Sequence, residues 1–157
     1  EDQIKAHNLD KQVLLMGVTN NSMAVLEKSA IFAFPSAHEG FPLAMTEAMA
    51  AGLPCIGLKS CLAVSQLIKD DETGIITDPT VEGLSKALER LMQDETLRAR
   101  LGMKAKKSME VFAPENVWNQ WEKLFFDIVS ERNNFLRSKK ESFSKMEPTK
   151  AKKNMFI

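Results

Sequence analysis

No stretch of this sequence stays apolar for eighteen residues, so no part of it is expected to span a membrane as a helix. No secretory leader is visible. Cysteine is scarce. Cys55 and Cys61 are the only two, and neither has a His or Cys partner at metal-ligand spacing. That excludes a disulfide framework and a zinc site, and it points to a reducing, cytoplasmic setting. An excess of one charge is also missing, with 21 Lys or Arg against 21 Asp or Glu. So balanced a chain gives no electrostatic reason to expect nucleic acid as a partner. There is no G-x-G-x-x-G, no Walker loop and no internal repeat. The first residue is Glu1 rather than Met, which reads as a piece of a longer protein.

What is present suits one folded domain. The chain has 157 residues, 44% of them apolar, enough for a core and too many for overall disorder. The neutral balance hides an asymmetry. Residues 130–157 carry eight Lys or Arg and three Asp or Glu, whereas residues 1–129 carry thirteen and eighteen. The expected organisation is a domain over 1–129 and a basic tail over 130–157, a helix end fading into disorder.

Short apolar runs alternate with helical patterns. Val13–Met16, Ile31–Phe34, Cys55–Leu58 and Ile75–Ile76 read as strands. Nearly continuous apolar runs fit parallel strands buried on both faces. Helices are expected over about 23–29, capped from Asn20, Asn21 or Ser22, and over Pro42–Ala51, with Gly52 just past the end. Thr80 caps a third, striped by Leu84, Ala87, Leu88, Leu91 and Met92. Asp94 caps a fourth, which Gly102 is expected to interrupt. Pro114 opens the last, where Val117, Trp118, Trp121, Leu124, Phe125, Ile128 and Val129 recur at helical spacing and read as core packing. The order implies an α/β fold, a Rossmann-like parallel sheet sandwiched by helices. Ligands of such sheets bind beyond the carboxyl ends of the strands. The segments to watch are therefore Gly17–Ser22, Pro35–Pro42 and Lys59–Ser65.

Chemistry concentrates in residues 35–54. Glu39 stands beside Gly40 just before a helix start, where backbone N–H groups favour an anionic or polar ligand. Gly40 lets the main chain approach closely. Gly40, Phe41 and Leu43 can donate N–H bonds, and Pro42 cannot. Glu47 falls in a helix that is apolar nearly all round and so is expected to be buried. A buried carboxylate without a partner costs several kcal/mol, so a ligand diol, backbone amides or an Arg is expected to satisfy it.

Glu39 and Glu47 are separated by seven residues. Their setting, Pro-Ser-x-x-Glu-Gly-Phe-Pro-Leu followed by Glu-Ala-Met-Ala-x-Gly-x-Pro, resembles the group-1 glycosyltransferases, two-domain enzymes of the GT-B type. The likeness extends more loosely over about 9–129. It implies that the chain is the C-terminal, sugar-donor-binding half of an enzyme that moves a sugar from a nucleotide diphosphate sugar to an acceptor hydroxyl, in glycan or polysaccharide synthesis. Glu39 would be the catalytic-site residue, bonding hydroxyls of the transferred sugar. Backbone at Gly40, Phe41 and Leu43 would line the sugar and diphosphate, and Glu47 would bond the ribose hydroxyls. A carboxylate suits a vicinal diol because it accepts two charge-assisted bonds.

The resemblance also implies retention of anomeric configuration, no obligatory metal and no cofactor. The nucleotide sugar and an N-terminal acceptor-binding domain of the same protein are the implied partners. Family members carry an Arg and a Lys upstream that grip the diphosphate, and no residue here is assigned to them. Where the family has Gly-Gly and then Glu after the third strand, this chain has Leu62–Gln66. That departure leaves open a degenerate, non-catalytic binding or assembly module. Half of a nucleotide-sugar epimerase is the remaining alternative.

The other candidates have bland readings. His38 and His7 read as loop histidines, Cys55 as core, Cys61 as a loop thiol, and Met45 and Met49 as packing. The tail lysines, Lys139, Lys140, Lys145, Lys150, Lys152 and Lys153, read as a solvated tail. A peripheral contact with an anionic membrane is their second reading.

Overall fold

The computed structural model describes residues 1–144. The chain divides into two compact units, Glu1–Glu110 and Val111–Ile157. In the first, α1 (Asp2–Ala6) and α2 (Ser22–Leu26) precede β1 (Phe32–Phe34), α3 (Leu43–Ala50), β2 (Cys55–Leu58), α4 (Leu62–Leu67) and β3 (Gly74–Thr77). Two longer helices follow, α5 (Val81–Gln93) and α6 (Glu95–Ser108), then a 3-10 turn over Met109–Phe112 and α7 (Pro114–Ser144).

The three strands form a parallel sheet in the order β1-β2-β3, with Phe32 opposite Cys55 and Ile56 opposite Ile75. Crossovers of one hand that step in one direction place their helices on one face of a sheet. Accordingly α3 and α4 share a cluster in which Met45, Met49, Cys55 and Val64 are buried together with Leu26 of α2. The neighbouring residue of β2, Ile56, points the other way and packs with Ile75, Ala87, Leu91, Leu97 and Leu101, so α5 and α6 cover the second face. The expected sandwiched parallel sheet is what the chain forms.

Most helix signals act as expected. Asn21 accepts from the Ala24 N–H at 3.0 Å, Thr80 from the Gly83 N–H at 3.0 Å, and Asp94 from the Leu97 N–H at 2.8 Å. Each contributes on the order of 1 kcal/mol. The α5 stripe is buried or partly buried from Leu84 to Leu91, but Met92 is exposed.

Several expectations need correction. Val13–Met16 is not a strand, and Leu14, Leu15 and Met16 are exposed. Apolar composition does not make a strand without a neighbour to complete the ladder, and β1 does not pair with this run. β1 itself is only half-buried, as befits an edge strand. Leu62–Gln66 forms most of α4, and Cys61, expected as a loop thiol, is buried at its head.

Gly102 does not interrupt α6. A side chain there would stand 2.1 Å from the Gly52 carbonyl oxygen, so the glycine marks a close helix approach rather than a break. Trp118 and Trp121 are not in a core. They lie exposed on α7, where Trp121 stacks on Phe125 at 5.7 Å between centroids. Helical spacing reveals that a face is apolar, not what covers it.

The helix opened by Pro114 runs unbroken past position 130, and residues 145–157 of the basic tail lie outside the described residues. Among the described residues no helix is long and apolar enough to cross a membrane. Burial pushes the Cys55 thiol up to about 12, consistent with a packing role.

Gly102→Ala should lower the unfolding free energy by about 1–3 kcal/mol, the usual range for overpacking. Gly40→Ala, where nothing lies within 4 Å of the added atom, should change it by less than about 0.5 kcal/mol. Paired denaturant titrations of the two variants check this.

Candidate functional site

In a parallel sheet the loops leaving the strands emerge at one edge. Here they are 35–42 after β1, 59–61 after β2 and 78–80 after β3. Pro35 ends the first strand because it cannot donate to the ladder. Ser36 then folds the loop back on itself. Its hydroxyl donates to Glu39 Oε1 at 2.7 Å and reaches the His38 carbonyl at 3.3 Å. Glu39 is thereby held at the sheet edge while remaining exposed.

Pro42 caps α3 and is buried. Its carbonyl accepts from the Met45 and Thr46 N–H groups at 3.0 and 3.1 Å. The far end is closed by Gly52, whose φ of +87° is left-handed. The Gly52 N–H bonds the Met49 carbonyl and the Leu53 N–H bonds the Ala48 carbonyl, both at 3.0 Å. This is a Schellman closure, with Leu53 tucked into the core.

Between these ends α3 buries Met45, Ala48 and Met49 and turns Leu43, Ala44, Glu47 and Ala50 outward. Glu47 is therefore exposed, contrary to the expectation of burial. The helix looks apolar all round because its open face is lined largely with alanine, which carries no sign of which side is covered. No buried charge waits for a partner, and the carboxylate is reachable. It accepts one bond, from the Ser22 hydroxyl at the start of α2, at 3.3 Å.

The backbone contacts expected of Gly40, Phe41 and Leu43 stand differently. At Gly40 the space a side chain would fill is open. The Leu43 N–H already donates to the Phe41 carbonyl at 3.0 Å. The Phe41 side chain is half-exposed and that of Leu43 more so.

Across the edge, Lys59 pairs with Asp78 and its N–H donates to the Thr77 carbonyl at 2.9 Å, tying the exits of β2 and β3 together. His38 and His7 are exposed loop residues. Among the described residues no ion pair engages Glu39 or Glu47, and no three His, Cys, Asp or Glu side chains converge as a metal site would.

Sequence reasoning missed the two serines. Ser36 lies three residues before Glu39, a spacing that could have suggested a local bond. Ser22 is twenty-five positions from Glu47, and nothing in the sequence links them. The concavity of about 470 Å³ along α7, lined by Trp118, Trp121, Phe125 and Val129, contains no motif residue and is an open helix face.

Comparison with known proteins bears on this arrangement. The family model described as "Glycosyl transferases group 1" matches residues 1–108. The chain is 33% identical over 132 residues to an exopolysaccharide phosphotransferase of Streptomyces coelicolor, covering 83% of this chain and 14% of that protein. It is 29% identical over 133 residues to the N-acetyl-alpha-D-glucosaminyl L-malate synthase of Bacillus anthracis, covering 83% and 35%. The chain thus spans between 14% and 35% of the length of these relatives.

Among solved structures, sucrose-phosphate synthase from Thermosynechococcus elongatus superposes with a TM-score of 0.73 at 24% identity, over 83% of this chain and 33% of that one. That likeness shows the fold. A mutant of TarM from S. aureus, solved with fondaparinux, alpha-GlcNAc-glycerol and UDP, superposes with a TM-score of 0.71 at 27% identity, over 79% and 26%.

Because both motif acids are exposed, Glu39→Gln and Glu47→Gln should each shift the unfolding free energy by no more than about 0.5 kcal/mol. Thermal unfolding of the two variants against the parent chain measures it. A loss of several kcal/mol would mean that the acids hold the fold rather than a ligand.

Proposed function

The chain belongs to the group 1 glycosyl transferases, and from that premise we propose that it is the sugar-donor-binding half of an enzyme that moves a sugar from a nucleoside diphosphate to an acceptor hydroxyl, in glycan or polysaccharide synthesis. The observation that carries this is the state of the two acids. Both follow β1 at the carboxyl edge of a parallel sheet, where ligands of this architecture bind. Both are exposed, each held by one serine hydroxyl, and no cation competes for them among the described residues. A carboxylate so prepared keeps most of its acceptor sites for ligand hydroxyls.

In this reading Glu47 accepts from the ribose hydroxyls, and Glu39 is the catalytic residue that accepts from hydroxyls of the transferred sugar. The open backbone at Gly40 lets the sugar approach. Phe41 adds a backbone contact, and Leu43 joins once its N–H turns from the Phe41 carbonyl. The UDP in the TarM mutant structure makes UDP the first nucleotide to try. Retention of configuration, and transfer without a metal or cofactor, belong to the same proposal, as does a cytoplasmic setting with peripheral membrane contact. The remainder of the protein would hold the acceptor. Catalysis needs acceptor and donor together in a closed, dry cleft, so this chain alone should transfer nothing.

One observation favours a second reading. Where the family carries Gly-Gly and then Glu, this chain carries Leu62–Gln66, which lies in α4 with Val64 buried. A binding module that has lost transfer would show this too. Sugar transfer by the complete protein excludes it.

Calorimetry of the chain with UDP tests the proposal. Glu47→Gln should weaken binding by about 1–2 kcal/mol, or five- to thirtyfold, as expected for losing hydrogen bonds to a charged group. Glu39→Gln should change UDP affinity less than about twofold, yet impair use of the sugar nucleotide by the complete enzyme. Equal weakening of UDP by both changes would contradict the division of roles.

A further inference from the structure

We propose that Ser22 is a positioning residue for Glu47, fixing its carboxylate in the orientation that reads the ribose of the donor nucleotide. The proposal rests on the reading that Glu47 meets the ribose and adds a residue from a separate helix to that contact. The Ser22 hydroxyl donates to Glu47 Oε2 at 3.3 Å, joining α2 to α3.

Its own position is set by the turn that starts α2. Thr19 Oγ1 accepts from the Asn21 N–H at 3.1 Å, and Asn21 Oδ1 accepts from the Ala24 N–H at 3.0 Å. The helix is pinned to α3 from below, because Leu26 is buried in the same cluster as Met45 and Met49. The hydroxyl is therefore delivered by packed and capped backbone, not by a free loop.

The chemistry of the pair suits a diol. An exposed glutamate on a helix samples several rotamers, and ordering one on binding weakens affinity. A serine has a single proton to give. Donated to Oε2, it selects one orientation yet leaves Oε1 entire and part of Oε2 for two ribose hydroxyls. An Arg or Lys in its place would hold the carboxylate too, but as a charged competitor for the same oxygens. An exposed bond of this length contributes little to folding, so its loss should be read in nucleotide affinity rather than in the unfolding midpoint.

Calorimetry of the chain with UDP and with 2',3'-dideoxy-UDP, alongside thermal unfolding, tests the proposal. Ser22→Ala should raise the dissociation constant for UDP roughly two- to tenfold, the range for ordering one side chain. It should leave the unfolding midpoint unchanged and add nothing in the Glu47→Gln background. Ser22→Thr, which keeps the hydroxyl, should bind UDP as the parent does. The dideoxy nucleotide, lacking the diol, should bind parent and Ser22→Ala alike.

If the parent prefers UDP to the dideoxy nucleotide and Ser22→Ala binds UDP as well as the parent, the positioning role is overturned. A lowered midpoint, or equal weakening of both nucleotides, overturns it in favour of a structural clasp. If the parent itself binds neither nucleotide, or both equally, the ribose reading of Glu47 fails instead.

Discussion

The carbonyl of Gly52 leaves no space for a side chain at position 102, and the setting of the motif helix depends on that close approach. Helix α6 reaches both sides of the sheet, burying Leu97 and Leu101 in one cluster and Ala105 in the other. Helix α3 is seated on it where two glycines meet, with Gly52 in a left-handed conformation that ends the helix. Backbone against backbone is a stiff contact in a close-packed interior. With Met45 and Met49 buried beneath it, α3 turns Glu47 outward. The glycine after the second motif acid is thus a structural part of the site, because it ends and seats the helix that carries Glu47.

What those carboxylates lack is as informative as what they have. Elsewhere in the domain an exposed acid is paired with a cation, as Asp71 is with Arg90 at 2.7 Å. Glu39 and Glu47 instead accept from neutral hydroxyls, at 2.7 and 3.3 Å. A hydroxyl orients without neutralising, so the negative charge and most lone pairs stay available. Acids this exposed and held by a single neutral hydroxyl contribute little to stability.

Much of this was legible in the sequence, for reasons that can be named. The strand Cys55–Leu58 announced itself because it is buried on both faces, and Thr80 and Asp94 because helix caps are local chemistry. The motif acids were legible by resemblance, and the sheet-edge location by topology. Other features were not, because they depend on distant partners. Val13–Met16 has strand composition but no ladder neighbour. Gly102 looks like a helix breaker unless the Gly52 carbonyl is known to be beside it. Trp118 and Trp121 mark an apolar face without saying what lies over it. Glu47 seemed buried because alanines line the open side of its helix. Ser22 could not be linked to Glu47 without the packing that brings α2 against α3.

On the proposed reading, the exposed face of α3, with the loop before it, receives a nucleoside diphosphate. A titration of the isotopically labelled chain with UDP, followed by amide chemical shifts, tests it most directly. Saturable shifts are expected in Gly40 to Glu47 and at Ser22, with the α5 and α6 amides unmoved. Shifts confined to other surfaces, or none at millimolar UDP, would contradict it.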